Sequence, residues 1–251
     1  RAYNGSSWSS ETEIVQTGTT SNQFSIIKDS SNNIHLVYVD NGIKYKKYNG
    51  SNWTSADATL SSDANDVDPK VSIDSDGNPL VIWSKYNSAS DNDIVYKRFN
   101  GSTWDTNAKD LVNNGLLNRH ISTPESMNSS TLKYIWTEGT GSPYNVKFNS
   151  TYLQSYKAHI TSSTYTVSGT DITNIPFNTS KATFLSHLTK EDSNITFDDS
   201  KISDPVVTGD SIISTAEDGT TSLTYNITVN VDPDISLVDQ DKTYLTESLI
   251  K

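Results

Sequence analysis

One short stretch recurs along this chain and limits what it can fold into. It reads Tyr3-Asn-Gly-Ser-Ser-Trp8, then Tyr48-Asn-Gly-Ser-Asn-Trp53, then Phe99-Asn-Gly-Ser-Thr-Trp104, with a degraded fourth copy at Phe148-Asn-Ser-Thr-Tyr152. Asn-Gly supplies the positive-φ positions of a tight turn, so each copy predicts a hairpin between two strands. Successive copies lie 45, 51 and 49 residues apart. A period of that size corresponds to one small β-sheet per repeat.

The residues between the copies read as the rest of each sheet. Residues 1–20 finish a repeat, with a polar strand around Glu13–Thr17. In the next repeat Phe24 and Ile26 alternate, Asp29–Asn33 turns, Ile34–Tyr38 alternates strongly, and Ile43–Tyr48 places Ile43 and Tyr45 on one face. The second repeat follows the same grammar: Lys70–Ile73, the turn Asp74–Asn78, Leu80–Trp83, then Asp93–Arg98. The third is looser, with Leu132–Trp136 and Tyr144–Phe148 as its clearest strands. Tyr38, Trp83 and Trp136 fall at matching places. A four-stranded sheet cannot hide its apolar side alone, so each must bury it against the next.

The pattern of strand, Asp-x-x-Gly/Asn turn, strand, hairpin and aromatic-Asn-Gly-x-x-Trp, over residues 1–155, resembles the sialidase-like (BNR-type) β-propeller repeats of bacterial and archaeal surface proteins. The resemblance implies a partial propeller-like array of four-stranded sheets. Propellers have about 4–8 blades, so three repeats and a remnant need further sheets to close a ring. With no initiator Met and a start inside a repeat, the sequence reads as a piece of a longer polypeptide.

The composition changes near Tyr156–Ser163. Residues 164–168, 171–175 and 223–229 read as strands, and Asn178–Leu188 as the one helix, capped by Thr179 or Ser180, with Phe184, Leu185 and Leu188 as its apolar stripe. The stretches 176–180, 204–210 and 218–229 resemble a small module repeated in Gram-positive cell-surface proteins and extracellular glycosidases, where it is a non-catalytic spacer. That resemblance covers about residues 160–231. The expected organisation is therefore 1–155 as propeller-like repeats, 156–231 as a small β-rich spacer module with one helix, and 232–251 as a linker and the start of a further domain. The fold class is mainly β.

Composition narrows the function. Apolar residues make up 33% of the chain and its net charge is −11, which disfavours nucleic acid and anionic membranes as partners. No apolar run is long enough to span a bilayer. The absence of Cys, with abundant Asn, Ser and Thr, resembles exported proteins, so an extracellular or cell-surface location is expected. Sequons at Asn4, Asn49, Asn52, Asn100, Asn128, Asn149, Asn178, Asn194 and Asn226 are glycosylation candidates.

Catalytic chemistry is hard to place. The resemblance to sialidases implies three converging arginines, but Arg1, Arg98 and Arg119 are tied together by no motif. Glycosidase chemistry needs two carboxylates facing across a cleft, and 30 acidic residues single out no pair. Asp74, Asp76 and Asn78 place oxygen ligands at alternate positions, as a calcium loop would, and Asp63, Asp66 and Asp68 cluster nearby. The same Asp74–Asn78 spacing serves a hairpin whose Asp caps turn amides, and this reading is preferred. His35 is placed on the outward face of its strand. Trp8, Trp53 and Trp104 could stack on sugar rings as in a propeller lectin, although packing between sheets is preferred.

The reading is a non-enzymatic structural or adhesive segment of a surface layer or extracellular filament, contacting copies of itself or neighbouring surface proteins. A carbohydrate-binding lectin and the accessory region of an extracellular glycosidase stand as alternatives. No cofactor is expected, apart from the calcium option.

Overall fold

The strands fall where apolar alternation and turn residues place them. The computed structural model describes residues 5–7, 10, 11, 13–18 and 23–232. These belong to two compact units, divided between Leu153 and Gln154. The fold is mainly β, with several small sheets, none of them closed.

The first unit holds three antiparallel sheets. The first sheet runs β1 (Phe24–Lys28), β2 (Ile34–Val39), β3 (Ile43–Tyr48) and β4 (Ala58–Thr59) in sequence order. The second repeats it with β5 (Val67–Ile73), β6 (Pro79–Ser88), β7 (Asp91–Arg98) and β8 (Lys109–Val112). The third has three strands, β9 (Asn118–Ser122), β10 (Thr131–Glu138) and β11 (Asn145–Tyr152). Residues 13–18 form no strand, contrary to expectation, and no described strand pairs with them.

The expected fourth strand of the third sheet is not found among the described residues. In the first two repeats the chain reverses at Gly50 (φ 92°) and Gly101 (φ 95°), values costly for any residue with a Cβ. Asn49 and Asn100 fold their amide oxygens over the turns, accepting backbone N–H groups of Ser51 and Asn52, and of Ser102 and Thr103, at 2.8–3.0 Å. Tyr48 then bridges to Trp53 and Phe99 to Trp104. The degraded copy, one residue shorter and lacking the Gly, lies inside β11. The matching is also shifted: Phe148 pairs with Ile135, as Tyr45 pairs with Val37 and Tyr96 with Ile82.

Successive sheets pack face to face. Ile27, Val37, Val39, Ile43 and Tyr45 of the first sheet form one core with Val71, Ile73, Val81, Trp83 and Val95 of the second. The opposite face of the second sheet, with Leu80, Ile82, Ile94 and Tyr96, forms another core with Ile121, Leu132, Tyr134 and Trp136 of the third. We call these the forward face of one sheet and the rear face of the next. Side chains alternate across a strand, so one register position always looks the same way. Phe24 and Ile26, whose alternation suggested a buried face, point to the rear of the first sheet and are exposed, whereas Ile27 faces the core.

The rear-face aromatics share one anchoring scheme. Trp83 Nε1 donates to Asp66 Oδ2 at 2.9 Å, Trp136 Nε1 to Asn118 Oδ1 at 2.9 Å, and Tyr38 OH to Asp57 Oδ2 at 2.6 Å. Burial would raise the Asp57 carboxyl, but hydrogen bonds from Tyr38 and Lys46 outweigh it and hold it below its ordinary value. At Asp66 burial prevails and pushes the carboxyl up, against hydrogen bonds from Ser61, Tyr86 and Trp83.

The second unit contains β12 (Ile160–Thr161), β13 (Thr166–Ser168), β14 (Asp171–Ile175), α1 (Lys181–Ser186), β15 (Thr189–Lys190), β16 (Thr196–Asp198), β17 (Ser211–Thr215) and β18 (Ser222–Val229). Five strands form a sheet in the order β13-β14-β18-β17-β16, with β14 and β18 parallel, while β12 pairs with β15. Ser180 caps α1, accepting the Thr183 N–H at 3.2 Å. Phe184 buries its ring among Tyr165, Ile172, Ile212 and Tyr225, with Leu185 and Leu188 alongside. Asp210 clamps the loop before β17, accepting from Ser203 N and Oγ and from Val207 N, each at 3.0 Å.

Candidate functional site

The first strands of the three sheets, β1, β5 and β9, lie side by side, and a shallow groove of about 300 Å³ opens along them. Gln23, Phe24, Asp68, Pro69, Lys70, His120 and Ile121 line it. Two irregularities shape it. The β5–β6 register slips between Val67 and Lys70, and the β9–β10 register slips beside His120. At these slips Asp68 (φ 56°) and His120 (φ 52°) adopt left-handed backbone, uncommon for residues other than Gly. Bulges of this kind re-aim side chains and cluster at sites.

Asp68 ties the three sheets together. Its Oδ1 accepts from Gln23 Nε2 at 3.1 Å, and its Oδ2 accepts from Arg119 Nε and from the His120 N–H, both at 3.0 Å. Its own N–H donates to Gln23 Oε1 at 2.7 Å. With both oxygens engaged, Asp68 works as a clamp. His120 Nδ1 lies 3.0 Å from Thr137 Oγ1. The groove thus presents Phe24, Lys70 and the His120 ring to solvent above a fixed polar floor. The Asp63–Asp68 cluster and Arg119 were visible in the sequence. His120 and Gln23 carried no signal there, because the slips that aim them arise only from strand pairing.

The candidate calcium loop is built as a turn. Asp74 Oδ1 accepts the N–H groups of Asp76 and Asn78 at 3.0 and 2.9 Å, and Asp74 N donates to Asn78 O at 2.8 Å. Its Oδ2 receives Arg98 Nε and a second guanidinium nitrogen at 3.0 and 2.8 Å, the latter also 3.3 Å from Asp76 Oδ2. A buried guanidinium therefore faces the two carboxylates where a calcium ion would have to bind. Burial pushes the Asp74 carboxyl up, and the Arg98 charge pulls it back in part.

The first repeat holds the same turn. Asp29 Oδ1 accepts from Ser31 N and Asn33 N at 2.9 and 2.8 Å, and Oδ2 accepts from Asn33 Nδ2 at 2.7 Å and lies 3.1 Å from His35 Nε2. Burial would raise the Asp29 carboxyl, but the hydrogen bonds from Asn33 and His35 hold it down at about 2. His35 is not outward-facing as expected: it is buried, with Nδ1 2.7 Å from Tyr45 OH, and burial lowers its pKa. In β2 both faces are covered, so alternation could not tell inside from outside.

The tryptophans divide. Trp104 is half-buried between sheets, edge-on to Tyr45 with ring centroids 4.8 Å apart, and also packs on Phe99. Trp53 is half-buried against Tyr48 on its own hairpin. Trp8 and Asn4 lie outside the described residues. Asn49, Asn52, Asn128, Asn149, Asn178, Asn194 and Asn226 are exposed, and Asn100 is half-buried. Of the sialidase-type arginines, Arg98 is bound to Asp74 and Arg119 to Asp68, while Arg1 is outside the described residues.

No family model, curated protein or solved structure matches this chain.

Proposed function

We propose that the chain is a non-catalytic structural or adhesive segment of a secreted or cell-surface protein. In this reading the first unit is a partial propeller-like array and the second a spacer that extends it. The observation that carries it is the twice-repeated packing of a forward face on a rear face, with equivalent register positions buried each time. A stack built this way grows by adding repeats. The carboxylates best placed for chemistry support the same reading. Asp66, Asp68 and Asp74 each hold turns, strands or a buried Trp together. Immunolabelling of intact cells of the source organism tests it. Surface label that persists without permeabilisation supports the proposal, and label seen only after permeabilisation refutes it.

A second reading rests on the groove along β1, β5 and β9. Its volume of about 300 Å³ and its mix of Phe24, Lys70 and His120 suit a saccharide, which asks for one apolar face and several hydrogen-bonding groups. It moves the sugar contact from the tryptophans to the inner strands. Glycan-array binding lost in His120→Ala, with the fold intact, supports it. Binding lost only in Trp53→Ala returns the site to the hairpin.

A further inference from the structure

Each of the first two sheets is completed by a fourth strand that follows its hairpin. β4 adds to the outer edge of β3, with Ala58 opposite Tyr45 and Thr59 opposite Lys44. The Ile43 N–H donates to Ser61 O at 3.1 Å, and Ile43 O accepts the Leu60 N–H at 2.8 Å. β8 adds to β7 in the same way, with Lys109 opposite Tyr96 and Val112 opposite Ile94. The added strand also brings apolar side chains to the seam between sheets. Leu60 is buried in the first core, and Leu111 and Val112 pack against the second.

β11 holds the place of β3 and β7. Phe148 pairs with Ile135 as Tyr45 pairs with Val37 and Tyr96 with Ile82, so Val146, two residues earlier, matches Ile43 and Ile94. Yet β11 pairs with β10 alone among the described residues. Its outward backbone groups can be assigned. The Leu153 N–H donates to Ser130 O, and direction alternates along an antiparallel strand, so the N–H and C=O of Val146 and Phe148 point away from β10. Val146 and Phe148 are also 74% and 65% exposed, where Ile43 and Tyr45 are 0% and 8%. A long edge strand with such backbone groups and exposed apolar side chains is a template for one more strand.

We propose that β11 accepts an extended segment of another polypeptide as the fourth strand of the third sheet. The two internal additions state the chemistry of that segment. It runs antiparallel to β11 and sets a small residue opposite Phe148, as Ala58 sits opposite Tyr45. A hydroxyl residue follows, because Lys147 has the position of Lys44, whose Nζ donates to Thr59 Oγ1 at 2.9 Å. A leucine comes next and covers Val146, as Leu60 packs with Ile43. Main-chain hydrogen bonds supply the affinity and the alternate side chains the selectivity. The contact continues an interface that the chain makes twice within itself, and it does not depend on the cell-surface reading given above.

The probe is a synthetic peptide copying residues 55–62, Ser-Ala-Asp-Ala-Thr-Leu-Ser-Ser, titrated into the full chain while hydrogen exchange is followed amide by amide. The Val146 and Phe148 amides should exchange freely in the chain alone at every protein concentration. Saturating peptide should slow both by tenfold or more. A scrambled peptide, or one N-methylated at its leucine, should leave them unchanged. Phe148→Pro removes one outward N–H and leaves the bonds to β10 in place, so it should weaken peptide binding tenfold or more with circular dichroism unchanged. The N-methylated peptide makes the same test with the protein unaltered. Amides protected in the chain alone overturn the proposal: protection independent of concentration means that another segment of this chain forms the strand, and protection that grows with concentration means that a second copy does. No saturable binding up to millimolar peptide, or equal binding of the scrambled peptide, overturns it as well.

Discussion

Replacing Gly101 by Ser puts a Cβ at the positive-φ position of the second hairpin turn. Gly101 has φ 95°, and a Cβ built there meets nothing closer than Asn78 Oδ1 at 3.9 Å. Steric overlap with neighbours is therefore absent, and the cost is the backbone strain of an L-residue at positive φ, about 1–2 kcal/mol. The Asn100 cap and the Phe99–Trp104 bridge remain available to hold the turn, so the hairpin should survive at reduced stability. All five tryptophans precede residue 154, so tryptophan fluorescence reports the first unit alone. In urea, with a slope of about 2 kcal/mol per molar, the midpoint should fall by about 0.5–1 M with the slope unchanged. Gly42→Ala is the contrast. Gly42 also has positive φ, but its Cβ would sit 2.2 Å from Ser61 O, a backbone atom that cannot swing away. Overpacking then adds about 1–3 kcal/mol to the strain. A Gly101→Ser protein as stable as the wild type, or one hurt more than Gly42→Ala, would refute the reading that backbone strain at Gly101 and a steric clash at Gly42 set these costs.

Other outcomes follow from the same geometry. The lowered pKa of His35 means the unfolded chain binds more protons just below the ordinary value of 6.5, so stability should fall as pH drops below that point. His35→Gln should flatten that part of the pH–midpoint curve. Asp29, held at about 2 against an unfolded value of 3.8, should keep its contribution above the latter and lose it as pH falls toward the former. Asp210→Ala strips three hydrogen bonds from one loop and should cost about 2–4 kcal/mol, seen by far-ultraviolet circular dichroism while the tryptophan transition stays in place. Calcium or a chelator should leave the first unit's midpoint unchanged, because the Arg98 guanidinium already pairs with both Asp74 and Asp76.

What the sequence disclosed was local. Asn-Gly and the Asp-x-x-Gly/Asn spacing are read by the chain within four residues, so the hairpins at 49–52 and 100–103 and the turns at 29–33 and 74–78 were all visible in advance. The helix cap at Ser180 was visible for the same reason. What stayed hidden depends on distant partners. Phe148 looked like the copy of Tyr48, yet pairing with β10 gives it the place of Tyr45. The exposure of Phe24 and Ile26, the burial of His35 and the strained backbone at Asp68 and His120 are set by which sheet lies against which. A period of alternation records that two faces differ, and leaves open which of them is covered. The groove is legible only in part for that reason: Asp68 and Arg119 stood out as charges, while their convergence comes from two bulges in separate sheets.

One contact joins the sheets, the forward face of one meeting the rear face of the next, and Tyr45 against Trp104 is where two rings touch across that seam. A double-mutant cycle with Tyr45→Leu and Trp104→Leu, followed by tryptophan fluorescence in urea, measures it. Edge-to-face packing predicts a coupling of about 0.5–1.5 kcal/mol. Strictly additive losses would mean that the two sheets do not lie against each other in this way.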